Sequence, residues 1–261
     1  MSSVTLGDFT AHPRAVARLT EPVDALIVAT KAAGLADALA RIDCRPALVL
    51  PLLNGLDHIA LLRERFDPAS VLAGTIRVEA DRPQPGVIVH TSPFLLVELA
   101  SGHDSARAGM GELAVALQRA GVNARGDWPI SARSEAQVMW SKLVRLNALA
   151  CTTSAYDKKL GEIRSTPALR ADLEGAIEEA CAVGQAEGAD DVDPRKAIDE
   201  LERAHDTLGS SMQRDIAAGR EPEIDAIPGA VLRAGKRHAI DCPTIERLVA
   251  TILARIDTGA H

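Results

Sequence analysis

The stretch VDALIVATKAAGLADALARI, residues Val23–Ile42, decides the fold class. Its first nine residues form a short apolar run with β-branched side chains, which is typical of a parallel strand covered on both faces. The remaining residues, AAGLADALARI, have helical periodicity. A strand followed at once by a helix is the repeating unit of an open, doubly wound α/β sheet.

The same alternation continues towards the C-terminus. PALVLPLLNG (residues 46–55) predicts a second strand, and LDHIALLRERF (56–66) predicts the next helix. SVLAGTIRVEA (70–80) predicts a third strand, and PGVIVHT (85–91) and FLLVELA (94–100) predict two shorter ones separated by turn residues. We therefore expect a parallel sheet with an antiparallel extension.

From Ser134 onward the apolar pattern is almost entirely helical. We place a domain boundary near Asp127–Ser131. The predicted fold is α/β, with an α/β domain over residues 1–128 and an all-helical domain over residues 129–261.

Several residues of this second half predict where helices begin and end. Asp193 is a candidate N-cap, with Pro194 at the first helical position. Gly219 predicts a helix stop, and Pro222 predicts the start of the next helix. This assignment places Glu223 in the first turn of that helix.

Composition favours a globular protein that acts on small molecules. The apolar fraction of 47% in 261 residues supports a substantial core. A formal net charge of -7 argues against nucleic acid as a partner, because binding to a phosphate backbone is driven by basic surfaces. No apolar run approaches the roughly 20 residues of a membrane span.

The cysteines and the N-terminus point to the cytoplasm. The four cysteines are far apart and form no C-x-x-C pair, so we predict reduced thiols and no metal site; they are Cys44, Cys151, Cys181 and Cys242. The first residues, MSSVTLGDFT, lack the charged and apolar regions of a signal peptide.

Polar residues that follow the first two strands are candidates for a site, since ligands bind beyond the carboxyl ends of parallel strands. Lys31 closes the first strand and Asn54 closes the second. The alternative is that each is an ordinary loop residue. Ser210 and Ser211 are further candidates, either as hydroxyl donors to a substrate or as small residues at a helix contact.

Lys142 lies at the margin of an apolar helical stripe, in the segment WSKLVRLNALACTTSA. It either extends its ammonium to water or is retained for chemistry. Glu223 has an equally ordinary alternative, because acidic residues in a first helical turn complement the helix dipole.

Taken together, the motifs are more specific than each residue alone. ATKA, LLNGL, PGVIVHT, WSKLVRLNALACTTSA, SSMQRDIAAGREPEIDAIPGAVLRAG and HAIDCPT occur in this order. In order and spacing they resemble the ketopantoate reductase (2-dehydropantoate 2-reductase) family, and the resemblance extends from about Val23 to the C-terminus. It implies an incomplete, doubly wound Rossmann-type dinucleotide-binding domain over residues 1–128. The helical domain over residues 129–261 would then be of the 6-phosphogluconate dehydrogenase C-terminal type and would serve in substrate binding or dimerisation.

The resemblance also implies an activity and residue roles. The reaction would be NADPH-dependent reduction of ketopantoate or a similar 2-oxo acid, a step of pantothenate biosynthesis, with a homodimer as the candidate assembly. Lys142 would be the general acid and Glu223 would hold the substrate hydroxyl. Ser211 would contact the substrate carboxylate, and Lys31 and Asn54 would contact the nicotinamide ribose and the substrate. Partial desolvation lowers the pKa of a lysine ammonium, which favours proton donation near neutral pH.

One departure from the family concerns the nucleotide site. The family begins with a G-x-G-x-x-G turn that binds the cofactor pyrophosphate, and this sequence lacks it. GMGELA (Gly109–Ala114) fits the spacing formally, but we predict an ordinary surface helix there. We expect a longer native protein. Otherwise the first strand is an edge that another chain or the segment SVTLGDF (Ser3–Phe9) must cover.

Two other departures lie in the helical half. The family has an asparagine four residues after the catalytic lysine, where this chain has Leu146. Either the asparagine contact is lost, or a π-bulge brings Asn147 back to this position as a substrate contact. Pro228 stands where the family often has asparagine, and we expect it to kink the Glu223 helix.

Three functions therefore stay open. The first is the NADPH-dependent reductase. The second is a catalytically silent substrate-binding or dimerisation module of the same family, because the nucleotide loop is missing. The third is a related dehydrogenase acting on a different 2-oxo or 3-hydroxy acid.

Overall fold

A computed structural model describes residues 1–123 and 133–259. The chain forms two compact units, of which the first contains Met1–Leu53 and His58–Glu135 and the second contains Asn54–Asp57 and Ala136–His261. The predicted boundary at Asp127–Ser131, with its division between residues 128 and 129, lies outside the described residues. The sequence did not predict that Asn54–Asp57 would group with the helical unit.

The first unit contains short strands and three helices within its described part. The strands are β1 Ser2–Ser3, β2 Ala25–Val28, β3 Leu48–Pro51, β4 Ala73–Arg77, β5 Ala80–Gln84, β6 Val87–His90 and β7 Leu96–Ala100. The helices are α1 Leu35–Leu39, α2 His58–Arg65 and α3 Arg107–Arg119. Every strand predicted from the sequence is confirmed, while β1 and β5 are additional.

Strand pairing confirms a parallel core with antiparallel additions. β2 pairs with β3 in parallel, and β4 pairs with β7 antiparallel. An isolated parallel bridge between Val49 and Val71 connects β3 to the residues that precede β4. β6 pairs in parallel with β1 and antiparallel with β5.

β3 shows why the sheet needs helices on both faces. Its alternate side chains enter two separate apolar clusters, because successive side chains of a strand point to opposite faces. Val49 packs with Leu35 and Leu62 of α1 and α2. Leu48 and Leu50 belong to the cluster that contains α3. The continuous apolar run that predicted a doubly covered strand is thereby explained.

The N-terminal segment, one of the two covers predicted for the edge of β2, does not lie along that strand. Ser2 and Ser3 pair with Val89 and His90 of β6, so the N-terminal segment does not extend β2. Among the described strands β2 has β3 as its partner, and the Ile27 side chain on it is 44% exposed.

The second unit is helical throughout its described part. Its helices are α4 Glu135–Tyr156, α5 Leu160–Ser165, α6 Pro167–Ala186, α7 Pro194–Glu202, α8 Ser211–Ala217, α9 Pro228–Arg237 and α10 Pro243–Asp257. α4 and α6 each contribute more core residues than any other helix of the unit, and Gly184 of α6 leaves room for the buried ring of Trp140. As predicted, Asp193 caps α7 by accepting from the backbone of Arg195 and Lys196.

The predicted start of the Glu223 helix is wrong. Gly219 follows α8 with φ of 62°, which confirms the helix stop. The next helix, however, begins at Pro228 and not at Pro222, so Glu223 lies before the turn that precedes the helix. Pro228 therefore causes no kink: at the first helical position its missing N–H costs nothing, and it disfavours helical geometry at Ile227 before it.

Two general properties of the described chain complete this picture. None of its helices combines the length and the apolar character that crossing a bilayer requires. The cysteines are free and buried in the core of their own units.

Candidate active site

Three polar side chains of the second unit form a continuous hydrogen-bonded chain. The Lys142 ammonium donates to Asn54 Oδ1 at 2.7 Å. Asn54 Nδ2 then donates to Glu223 Oε2 at 2.9 Å. All three residues are partly buried. The structure thus brings together a cation, an amide and a carboxylate from distant parts of the sequence.

The orientation of the Asn54 amide follows from its two partners. An ammonium has only donors and an ionised carboxylate has only acceptors. Asn54 must therefore turn its oxygen to Lys142 and its nitrogen to Glu223. Each of its two polar atoms retains capacity for a second hydrogen bond, which a bound ligand could use.

Gly55 allows Asn54 to reach this position. Its φ is +85°, a conformation that disfavours residues with a side chain. A Cβ atom at Gly55 would lie 2.0 Å from the backbone oxygen of Ala226, which follows Glu223 by three residues. The close approach of these two backbone segments explains the Asn-Gly pair.

Lys142 owes its position to α4. The helix buries Leu143 and Val144 on its inner side, while Lys142 itself is half-buried and its nitrogen reaches Asn54. This bond to a polar partner favours a functional role over a lysine that simply extends to water. The role of general acid remains a prediction.

The proposed π-bulge is wrong, because Glu135–Tyr156 is α-helical along its whole length. Asn147 is consequently five helical residues from Lys142, about 140° around the axis. Its side chain is fully buried, and its Oδ1 accepts from Cys151 Sγ at 3.5 Å, whereas Nδ2 has no hydrogen-bond partner among the described residues. A substrate contact by Asn147 remains untested, and its burial counts against one.

The two serines differ in availability. Ser210 is buried, accepts from the backbone N–H of Gln213 at 3.0 Å and shares a 2.8 Å hydrogen bond with Thr153. Ser211 is the first residue of α8 and is half-buried.

Lys31 belongs to the first unit, where it is exposed and precedes a short 3₁₀ helix after β2. The contacts predicted for the serines and for Lys31 with substrate and cofactor stay predictions.

The residues of this chain fit only part of a nicotinamide cofactor site. Asn54 has hydrogen-bonding capacity that a ribose hydroxyl group could use, and the ribose contacts predicted for Asn54 and for Lys31 stay predictions. The formal glycine match Gly109–Ala114 lies inside α3, where a Cβ atom at Gly109 would meet Leu48 Cδ1 at 2.9 Å. The segment is therefore helical, as predicted, and not a phosphate-binding turn, but Gly109 serves packing of this helix against β3, which the prediction of a surface helix did not include.

Sequence reasoning missed the arginine beside this site. Arg233 of α9 donates to both Asp57 and Asp225, which follow Asn54 and Glu223 closely in the chain. Burial lowers the pKa of the Arg233 guanidinium, but the hydrogen bonds to the two carboxylates outweigh this effect and raise it overall. The sequence signal that could have indicated it was Asp225, the second fixed position of the pattern E-x-D-x-x-x-G over Glu223–Gly229, because a second carboxylate beside Glu223 suggests a basic partner.

Comparison with known proteins assigns the family. The family described as Ketopantoate reductase PanE/ApbA matches residues 1–98, and its C-terminal counterpart matches residues 136–255. A 2-dehydropantoate 2-reductase of Halobacterium salinarum is 30% identical over 237 residues, covering 86% of this chain and 73% of the relative.

Solved structures share the fold. D-mandelate dehydrogenase with NADH and anilino(oxo)acetate superimposes with a TM-score of 0.82 at 24% identity, covering 94% of this chain and 80% of that one. A dimeric ketopantoate reductase from Staphylococcus aureus gives a TM-score of 0.73 at 19% identity, covering 92% and 80%. The named relatives are oxidoreductases, and the two family models, together with the Halobacterium salinarum relative, show that the chain belongs to the ketopantoate reductase family.

Proposed function

We propose that this protein reduces ketopantoate, or a close 2-oxo acid relative, to the 2-hydroxy acid with NADPH, as a cytoplasmic step of pantothenate biosynthesis. The observation that carries the proposal is the hydrogen-bonded chain from Lys142 through Asn54 to Glu223. It provides a proton donor and a hydroxyl acceptor held by one amide.

Lys142 supplies the proton. A bound nicotinamide cofactor would supply the hydride for the carbonyl carbon, and the carbonyl oxygen would then carry a negative charge that requires a proton. The Lys142 ammonium donates its proton to that oxygen, forming the hydroxyl group of the product, and is later reprotonated from solvent. Its hydrogen bond to Asn54 orients the ammonium.

Glu223 and Ser211 orient the substrate. Glu223 uses Oε2 for Asn54, which leaves Oε1 to accept from the hydroxyl group of ketopantoate. Ser211 is half-buried and donates to the substrate carboxylate, and Lys31 contacts the nicotinamide ribose. Because the D-mandelate dehydrogenase neighbour binds NADH and anilino(oxo)acetate, substrate panels must include aromatic 2-oxo acids and both nicotinamide cofactors.

The direct test is NADPH oxidation with ketopantoate by wild-type protein and Lys142 variants. Lys142→Ala should lower kcat by roughly 10²- to 10⁴-fold, the usual contribution of a general acid. Lys142→Arg retains the charge but has too high a pKa to donate, so it should be similarly slow. Lys236→Ala, at an exposed lysine of α9, is the matched control and should remain active. Full turnover by Lys142→Ala would contradict the mechanism.

A silent binding module is the second candidate, favoured because the formal glycine match Gly109–Ala114 lies inside α3 and offers no phosphate-binding turn. Titration with NADPH, followed by nucleotide fluorescence, separates the two. The reductase binds NADPH and the module does not. The dimeric relative from Staphylococcus aureus supports a homodimer, which light scattering of the purified protein tests.

A further inference from the structure

Arg233 connects the two backbone segments that carry Asn54 and Glu223. Its Nε lies 3.1 Å from Asp57 Oδ2, and a terminal nitrogen also donates to this carboxylate. On the other side, one terminal nitrogen donates to Asp225 Oδ1 at 2.6 Å and the other to the Asp225 backbone oxygen at 2.8 Å. The guanidinium thus holds both aspartates at once.

These contacts give each segment a second fixed point. Asp57 follows Asn54 by three residues and Asp225 follows Glu223 by two. The first fixed point is the direct bond between Asn54 and Glu223. Together with the close approach of Gly55 to Ala226, this second connection limits relative rotation of the segments, which a single hydrogen bond leaves free.

Gly229 leaves room for the contact between Arg233 and Asp225, because a side chain at this position would require one of the two to shift slightly. A Cβ atom at this position would lie 3.0 Å from a terminal nitrogen of Arg233 and 3.3 Å from Asp225 Oδ1. The three fixed positions of the motif E-x-D-x-x-x-G (Glu223, Asp225 and Gly229) can therefore each be explained by a contact at or beside the site. Glu223 belongs to the site, Asp225 accepts from Arg233, and Gly229 leaves space for that pair.

Stability alone does not explain this arrangement. The side chains of Arg233, Asp57 and Asp225 are 41%, 48% and 90% exposed, and exposed ion pairs contribute little to folding. Multidentate bonds of a guanidinium do, however, fix geometry. A site of this kind is sensitive to geometry, because a displacement of about 1 Å can lower turnover about 100-fold.

We propose that Arg233 is a positioning residue that holds the Asn54 amide and the Glu223 carboxylate in the geometry needed at Lys142. The catalytic part of this statement rests on the proposed function. The claim that Arg233 fixes the positions of Asn54 and Glu223 does not rest on it, because that claim concerns only contacts among residues of the second unit.

The test compares Arg233→Gln, Arg233→Lys and Arg247→Gln. Arg247 is the matched control, because it is an exposed arginine of the same unit that binds Asp172 through two nitrogens. The structural readout is the side-chain NH₂ signal of Asn54 in a ¹H–¹⁵N NMR spectrum, assigned by its loss in Asn54→Asp. We expect the signal to move in Arg233→Gln and to stay in place in Arg247→Gln.

The kinetic readout is the change in kcat and, separately, the change in KM of each variant relative to the wild type, measured with ketopantoate and NADPH. Arg233→Gln should lower kcat about 10- to 100-fold, Arg233→Lys should be intermediate, and Arg247→Gln should stay within about twofold. The two Gln variants should have similar melting temperatures. An unmoved Asn54 signal in Arg233→Gln, or equal kinetic losses in both Gln variants, would overturn the proposal. A wild type that binds neither ketopantoate nor NADPH refutes the proposed function, while the NMR comparison still decides the role of Arg233.

Discussion

The Asn54 amide nitrogen lies 2.9 Å from the Glu223 carboxylate, although 169 positions separate the two residues in the chain. Lys142 is bonded to the oxygen of the same amide. Asn54 is therefore the link on which the geometry of the proposed site depends, and variants of this residue test the site most directly.

Replacing Asn54 should disconnect the lysine from the glutamate. Asn54→Ala removes both hydrogen bonds and should lower kcat about 10- to 100-fold, because the ammonium loses its orientation. Asn54→Asp places a second carboxylate beside Glu223, and like charges raise the pKa of one of the pair. We expect this variant to shift the acid limb of the pH–rate profile upwards. An unchanged profile would contradict the contact.

Glu223 can be tested against a close neighbour. Glu223→Ala should raise KM for ketopantoate and lower kcat, because the substrate hydroxyl and Asn54 both lose an acceptor. Glu223→Gln retains an oxygen and should be milder. Glu221→Ala, at an exposed carboxylate two residues earlier, is the control and should match the wild type in steady-state kinetics. Equal effects at both positions would remove Glu223 from the site.

Gly55 and Gly86 form a matched pair for backbone strain. Both have positive φ, +85° and +81°, but only Gly55 faces a backbone oxygen where a side chain would stand. Gly86→Ala should cost about 1 kcal/mol from its conformation alone. Gly55→Ala must also separate two backbone segments, so it should cost more and lower kcat. Urea denaturation and ketopantoate turnover measure the difference, and equal costs at both glycines would show that the Ala226 contact is unimportant.

The elements of the first unit were largely predictable because their signal is local. The apolar run at Val23–Lys31 contains β2, and the alternating clusters around β3 follow from the period of a strand. β5, Ala80–Gln84, was not predictable. It contains a proline, all of its residues are exposed, and its structure comes from pairing with β6.

The sequence suggested Lys142, Asn54 and Glu223 as candidates, but it could not predict the hydrogen bonds that join them. Periodicity cannot bring Asn54 to Glu223, and only the family resemblance selected them together. The helix start was missed because Pro222 and Pro228 are both acceptable first residues of a helix. The choice between them depends on tertiary contacts, among them the packing of Ala226 against Gly55.

A pH dependence of stability is expected at Asp172. Hydrogen bonds from Arg247, and one from Tyr156, hold the pKa of this carboxyl below its ordinary value despite partial burial. Since the folded-state pKa is the lower one, the stabilisation is present above about pH 4 and is lost as the pH falls through the folded-state pKa. Asp172→Asn should be less stable than the wild type at pH 7, with a smaller loss on acidification. Urea titrations at about pH 7 and pH 3 test this, with exposed Asp241→Asn as the control.

Buried thiols should resist labelling until the protein unfolds. Burial, reinforced by nearby carboxylates, raises the pKa of Cys151 and Cys181 to about 12 and of Cys242 to about 11. At pH 8 the thiolate fraction of Cys151 is then on the order of 10⁻⁴, whereas an ordinary cysteine is roughly one quarter ionised. Reaction with a disulfide reagent, read by peptide mass spectrometry, should be slow in the folded protein and rapid in guanidinium. Ala254→Cys introduces an exposed thiol on α10 as the comparison. Labelling of Cys151 at the rate of that exposed thiol would mean that the helical core opens readily.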